Sequence, residues 1–315
     1  MKVFPSYYSK FKCIADKCRH SCCIGWEIGI DDDTLAYYET LDGKIGKKIC
    51  ECIKIEDDRA EFILSDNERC PFLLENGLCE LILTLGEDSL CNICTEHPRF
   101  RNFIGRREEI GIGMVCEEAA RIIVENTDSV TLEENEDDPD GDLTEFENQL
   151  LSMRSKAFAV ILDRSHTLKK RIDMLINAFD LYLSDRSIKE WANELSYLER
   201  LDKSWDLFLD KLGDIGDEEY LPEGFDVPLE QILHYFIYRH YISAEDENDA
   251  KERLAFAVLS VRIIGAMFRK CIEENNSSLE TLVEISRMYS GEIEYSEENT
   301  EGLLEYLSEY RYEIN

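Results

Sequence analysis

The run FKCIADKCRHSCCIGW at residues 11–26 and the run CPFLLENGLCELILTLGEDSLCNICTEHPRF at residues 70–100 decide how this chain is read. They place Cys13, Cys18, Cys22 and Cys23 in one knot and Cys70, Cys79, Cys91 and Cys94 in another. Two to four residues separate Cys13 from Cys18, Cys18 from Cys22 and Cys91 from Cys94, a spacing that lets one loop bring several sulfurs to one ion or cluster. Cysteines scattered through a core would not bunch in this way; buried free thiols or disulfides are the competing reading. The expected fold is mainly α: an irregular cysteine-rich metal-binding front module with short strands, followed by an all-helical module. Spacing alone leaves the metal open.

Eleven of the 12 cysteines precede residue 117 and only Cys271 follows it. In a chain of 315 residues with 44% apolar content, this asymmetry predicts residues 1–127 around the cysteines, an acidic linker at 128–145 and helices over 146–315. The opening MKVFPSYYSKFKC has no apolar stretch of the secretory-signal kind, which predicts a reducing, cytoplasmic setting and thiolates rather than disulfides. The longest apolar run, Leu254 to Phe268, is broken by Ser260 and Arg262 and falls short of the ~20 residues of a membrane span. No span is expected. A formal charge of −33, from 35 basic against 68 acidic side chains, repels phosphate backbones and argues against nucleic acid as a general partner. Proteins or cationic groups remain, although acidity also serves solubility alone.

Around the first knot, Trp26 to Ile30 alternates like a short strand, and Asp31 to Thr34 caps a helix that Asp42-Gly43 ends. Ile49 to Leu64 reads as a hairpin turning at Glu56 to Arg59, with Cys50 and Cys52 on one face of its first strand, as ligands or as core. The second knot turns at Asn76-Gly77, and a short helix then carries Cys91 and Cys94 one turn apart. Arg99, Arg101, Arg106 and Arg107 form a basic cluster suited either to an anion or to a solvated turn; His97, before a proline, is more often structural than a ligand. Gly111 and Gly113 lead a strand into the helix beginning at Glu117, where free amides can hold an anion and Cys116 can add a ligand. Two glycines fall short of a dinucleotide fingerprint.

From Glu125 to Glu147 the chain is acidic without lysine or arginine, as in a solvated linker. Beyond it, apolar residues recur at helical spacing over Phe146–Leu162, Leu168–Leu183, Ile188–Leu201, Trp205–Leu212, Leu229–Ile242, Lys251–Glu274, Leu279–Tyr289 and Leu303–Tyr310. Within them, His234-Tyr-Phe-Ile-Tyr-Arg-His-Tyr241 is the most aromatic stretch, either a core helix or a pocket wall. In the second reading Tyr235, Tyr238 and Tyr241 attract a cation through their faces and His240 takes a proton from a lysine.

FKCIADKCRHSCCIGWEIGID, the second run and GMVCEEAARI together resemble the flagellin lysine-N-methylase family, whose broader cysteine-rich domain chelates iron or zinc. The specific motifs lie between residues 5 and 125, and the helical remainder matches more loosely. Carried over residue by residue, the resemblance implies a 4Fe-4S cluster, with zinc as the alternative, on cysteines among Cys13, Cys18, Cys22, Cys23, Cys70, Cys79, Cys91 and Cys94. Cys116 is a further candidate; Cys50, Cys52 and Cys271 receive no role. Eight clustered thiols beside only five histidines also suit iron–sulfur ligation. The implied activity is methyl transfer to lysines of flagellin or another lysine-bearing surface protein, with S-adenosylmethionine as donor. Tyr235, Tyr238 and His240 are then the catalytic candidates, and Arg99, Arg101, Gly111 and Gly113 the cofactor-binding ones. The C-x3-C-x2-C spacing of common radical S-adenosylmethionine enzymes is not met, because Cys23 directly follows Cys22. A non-catalytic metal-binding module, whose helices bind a protein partner, explains the same cysteines.

Overall fold

Residues 1–135, 143–183, 186–215 and 221–312 are described by this computed structural model, with side chains as far as 308. They form two compact units: Lys12–Arg99, and Met1–Phe11 together with Phe100–Asn315. The division expected at residues 127–128 thus lies inside the larger unit, which includes the strands and helix of residues 100–127. The first strand, β1 (Lys2–Pro5), belongs to that unit.

In the smaller unit, β2 (Gly29–Ile30) precedes α1 (Asp32–Glu39) and α2 (Gly43–Glu51). Asp31 caps α1 by accepting from the Thr34 amide at 3.1 Å, and its other oxygen accepts from the Asn92 amide at 2.8 Å. β3 (Ile53–Glu56) and β4 (Arg59–Phe62) form the expected hairpin, turning through Asp57 and Asp58 at positive φ, the geometry of a two-residue hairpin turn. The sheet order is β2-β4-β3. Cys50 lies in α2 and Cys52 caps it, so the expected strand placement of these two cysteines is corrected: apolar spacing at Ile45 and Ile49 continues the helix until Ile53 begins the ladder. Two short helices, α3 (Glu80–Leu85) and α4 (Asn92–Glu96), complete the unit. Its core is Ile28, Ile30, Tyr38, Ile49, Phe62, Phe72 and Leu81, with the sulfurs of Cys70 and Cys91 buried among them.

After β1, the larger unit continues from the second residue of β5 (Arg99–Ile104) through β6 (Arg107–Ile112), α5 (Glu117–Val124) and β7 (Leu132–Asn135). β1 pairs parallel with β6 and antiparallel with β7, giving the order β5-β6-β1-β7. Residues 132–135 of the expected linker are therefore strand, and 136–142 lie outside the described residues. Eight helices follow: α6 (Glu145–Ile161), α7 (Leu168–Phe179), α8 (Ile188–Leu195), α9 (Ser204–Gly213), α10 (Asp226–His240), α11 (Glu247–Glu273), α12 (Leu279–Ile293) and α13 (Glu297–Tyr312). Capping boxes Thr144/Glu147 and Ser187/Glu190 start α6 and α8. α7 stops at Asp180 in the left-handed region, short of the expected Leu183, and α8 ends at Leu195 rather than Leu201. α11 is buried nearly all round from Leu254 to Phe268, packing on α9, α10, α12 and α13. No helix among the described residues is long and apolar enough to cross a membrane.

Candidate functional site

Inside the smaller unit the two cysteine knots are tied by backbone. The Cys70 amide donates to the Cys23 carbonyl at 2.9 Å, Ile24 bridges to Arg69, and Trp26 meets His97 edge-on at 5.1 Å between ring centroids. A bridge between Leu73 and Cys79 closes the Asn76-Gly77 turn. Cys91 and Cys94, one turn apart as the spacing predicts, stand 3.5 Å apart at sulfur. Cys23, Cys70, Cys79, Cys91 and Cys94 lie within reach of one another's charge. Cys13 accepts from the Ala15 amide at 3.4 Å, and Cys18 donates to the His20 carbonyl at 3.2 Å. Cys116 and Cys271 belong to the other unit.

The thiols titrate unequally. A hydrogen bond from Cys22, aided by the nearby Arg69 guanidinium, pulls Cys23 down to about 7. Burial pushes Cys70 up to about 12 and raises Cys79. Across the 3.5 Å contact the shared hydrogen bond lowers Cys91 and raises Cys94. Each thiolate formed here raises its neighbours, and a bound cation would lower all of them together. The all-sulfur donor set suits iron–sulfur or zinc in this respect. Among the described residues, no three His, Cys, Asp or Glu side chains are grouped so as to hold a single ion. His97, pushed down to about 4 by burial, is neutral near pH 7.

The same unit has a cleft of about 430 Å³ lined by Gly29 to Asp32, Asp58 to Glu61, Asn92 and Ile93. None of the site candidates from the sequence lines it. Arg99, the last residue of the unit, donates to the Thr95 carbonyl at 3.2 Å.

In the larger unit, the basic cluster meets the chain's own carboxylates. Arg101 pairs with Glu108, and Arg107 with Glu109 at 2.6 Å and Glu134 at 3.0 Å. Gly111 has a packing role: a Cβ there would meet the Phe100 ring at 2.2 Å. Gly113 is buried at the turn into α5, whose first turn carries the buried acids Glu117 and Glu118 and so disfavours a bound anion.

The aromatic stretch is helix α10. Tyr235 and Tyr238 are sealed at 0% exposure, which matches the core-helix reading of the stretch. The Tyr238 hydroxyl lies 3.1 Å from the Val3 carbonyl and 3.3 Å from that of Ile110. Its ring meets a cation, Arg154, at 5.6 Å, and Arg239 lies 4.9 Å from the Phe100 ring, so the cations on these rings belong to the chain. Tyr235 accepts from Arg239 at 2.7 Å and from the Met114 amide at 3.2 Å, and donates to Glu294 at 2.9 Å. The other Glu294 oxygen is 2.6 Å from His240 Nε2 and 3.3 Å from Arg239 Nε. Burial raises the Glu294 carboxyl, but Arg239 and His240 outweigh it and leave the group below its ordinary value; His240 is itself lowered by burial, against the pull of Glu294. Sequence reasoning reached His240 and missed Glu294 and Arg239. An acid just past a helix end carries no special signal in a chain with 68 acids.

Residues 107–314 match the family model of the FliB lysine N-methylase C-terminal domain. Over 142 residues the chain is 25% identical to a lysine-N-methylase of Salmonella typhimurium, covering 41% of this chain and 34% of the relative. A lysine-N-methylase of Salmonella choleraesuis gives the same figures, and the flagellar biosynthetic protein FliU of Salmonella muenchen is 25% identical over 80% of its length. The chain thus spans about a third of the length of those two lysine-N-methylases. No solved structure matches it.

Proposed function

This chain belongs to the FliB lysine N-methylase family, and from that premise we propose that it transfers methyl groups to lysine side chains of flagellin or a similar surface protein. The observation that carries the reading is the family match over residues 107–314, most of the larger unit. The FliU relative, a flagellar biosynthetic protein, supports a flagellar setting. In this reading S-adenosylmethionine is the methyl donor and the protein works in the cytoplasm, where its thiols stay reduced.

Each part of the chain then has a task. Thiols drawn from Cys13, Cys18, Cys22, Cys23, Cys70, Cys79, Cys91 and Cys94 would hold an iron–sulfur cluster. When bound, such a cluster supplies one-electron chemistry. His240 accepts the proton that a lysine ammonium must lose before its nitrogen can bond to carbon. Tyr235 steadies the group beside His240, and Tyr238 fastens α10 to the carbonyls of β1 and β6.

A second reading, a non-catalytic metal-binding interaction module, is favoured by one observation: Arg101, Gly111, Tyr235 and Tyr238 are all engaged within the chain. Isothermal titration of S-adenosylmethionine into anaerobically purified, metal-loaded protein separates the two. The methyltransferase reading expects saturable binding, and no heat from fully loaded, folded protein would favour the binding module.

A further inference from the structure

Among the described residues of the larger unit, Glu109, Glu230 and Glu294 are sealed at the side chain. Glu109 meets Arg107 at 2.6 Å and Arg154 at 2.5 Å, and Glu230 meets Arg164 at 2.7 Å and Arg171; the side chains of Glu109, Glu230 and Glu294 are all 0% exposed. The first two accept hydrogen bonds from arginines, which stay charged at all ordinary pH, so those clusters hold elements together. Glu294 faces Arg239 as well, but gives one oxygen to the Tyr235 hydroxyl and the other to His240 Nε2, at 2.9 and 2.6 Å. Among these three, it alone is handed to groups that titrate.

The polarity of the contact follows from hydrogen-bonding capacity. Tyr235 oxygen already accepts from Arg239 and the Met114 amide, so its proton points to Glu294. An ionised carboxylate can only accept, which requires Nε2 of His240 to carry the hydrogen and leaves the lone pair on Nδ1. His240 is the last residue of α10 and keeps 11% of its side chain exposed, while the Glu294 side chain is sealed.

We propose that Glu294 is the positioning residue for His240: it fixes the Nε2–H tautomer, presents Nδ1 as the proton acceptor, and stabilises the imidazolium formed when Nδ1 takes a proton. Arg239 and Tyr235 hold Glu294 ionised and in place. The role rests on the methyl-transfer reading. In that reaction a lysine Nζ–H bond breaks with its proton passing to Nδ1, an Nζ–C bond forms, and the methyl–sulfur bond of a sulfonium donor breaks with its electron pair returning to sulfur. The other charged groups around His240 are Arg239 on its own helix and Arg253 on α11, which donates to the His240 carbonyl at 3.4 Å and pairs with Asp249 at 2.8 Å. Both disfavour imidazolium, and Glu294 is the group that opposes them.

The test uses the full metal-loaded chain and Glu294→Gln, which keeps the shape and removes the charge. Histidine nitrogen NMR of the unaltered protein is expected to show His240 as the Nε2–H tautomer, and Glu294→Gln to move its titration to lower pH. With flagellin and S-adenosylmethionine, Glu294→Gln is expected to lower kcat on the order of 10²-fold, leave KM within about twofold, and shift the acid limb of the rate profile downward with the His240 titration. A merely structural contact would lower the melting temperature and leave that limb in place. An Nδ1–H tautomer in the unaltered protein overturns the inference without any variant, should Glu294→Gln fail to fold. So does an unchanged titration and kcat in Glu294→Gln. Unaltered protein with the expected tautomer but no methyl transfer at any pH retires the methyl-transfer reading and, with it, the proton-accepting role.

Discussion

Tyr235 shows how much one hydroxyl holds. Tyr235→Phe takes one partner each from the Arg239 guanidinium, the Met114 amide and a Glu294 oxygen inside the core, and is expected to cost about 1–3 kcal/mol in denaturant unfolding. A loss below a few tenths would mean that these groups find other partners. His234 lies on the same helix with the opposite logic: burial and the charge of Arg154 push it down to about 3, and its Nδ1 has no partner. The unfolded chain takes up that proton near pH 6.5 while the fold resists it, so the contribution is fully present above pH 6.5 and drains away as pH falls toward 3. His234→Phe keeps a ring where the imidazole stacks on Phe158 at 4.2 Å, and should flatten the fall in unfolding midpoint between pH 6.5 and 4. An equally steep fall would assign it elsewhere. The aromatic spacing of residues 234–241 made the helix legible in the sequence, but what its polar atoms touch depends on Val3, Met114 and Glu294, distant positions that no local pattern links.

At the scale of elements, Gly111 on β6 lets the Phe100 ring of β5 lie across the strand at a distance no Cβ permits. Gly111→Ala is expected to cost about 1–3 kcal/mol by overpacking, read in the unfolding midpoint; no loss would mean that Phe100 has somewhere else to go. The helices were legible because Thr144/Glu147 and Ser187/Glu190 announce α6 and α8, and apolar spacing marks the rest. The four-stranded sheet was not. β1 is four residues ending in proline, and β7 is Leu-Glu-Glu-Asn, acidic like the stretch around it; β7 is a strand because β1, remote in sequence, completes its ladder, and β1 is held by both β6 and β7. The Cys50 correction has a similar cause, since a strand and a short helix compete over the same few apolar residues until Ile53 finds its partner Phe62.

Over the whole molecule, ten of the 12 cysteines fall in the compact unit Lys12–Arg99, whereas the expected front module ran from residue 1 to 127. Which thiols converge was not legible, because it depends on the Cys23–Cys70 backbone contact and on burial around Phe72. Protein purified without oxygen is expected to be brown, with iron and acid-labile sulfide in matching amounts, and colourless protein with stoichiometric zinc would replace the iron–sulfur proposal. Cys23→Ser should lose that metal, and Cys271→Ser, on α11 in the other unit, should keep it. The central claim is methyl transfer to flagellin lysines. Its most direct measurement is peptide mass spectrometry of flagellin from the same source, co-expressed with the intact chain or with His240→Gln. The account predicts methyl mass on flagellin lysines with the intact chain and little or none with His240→Gln. Folded, metal-loaded protein that leaves every flagellin lysine unmodified would contradict it.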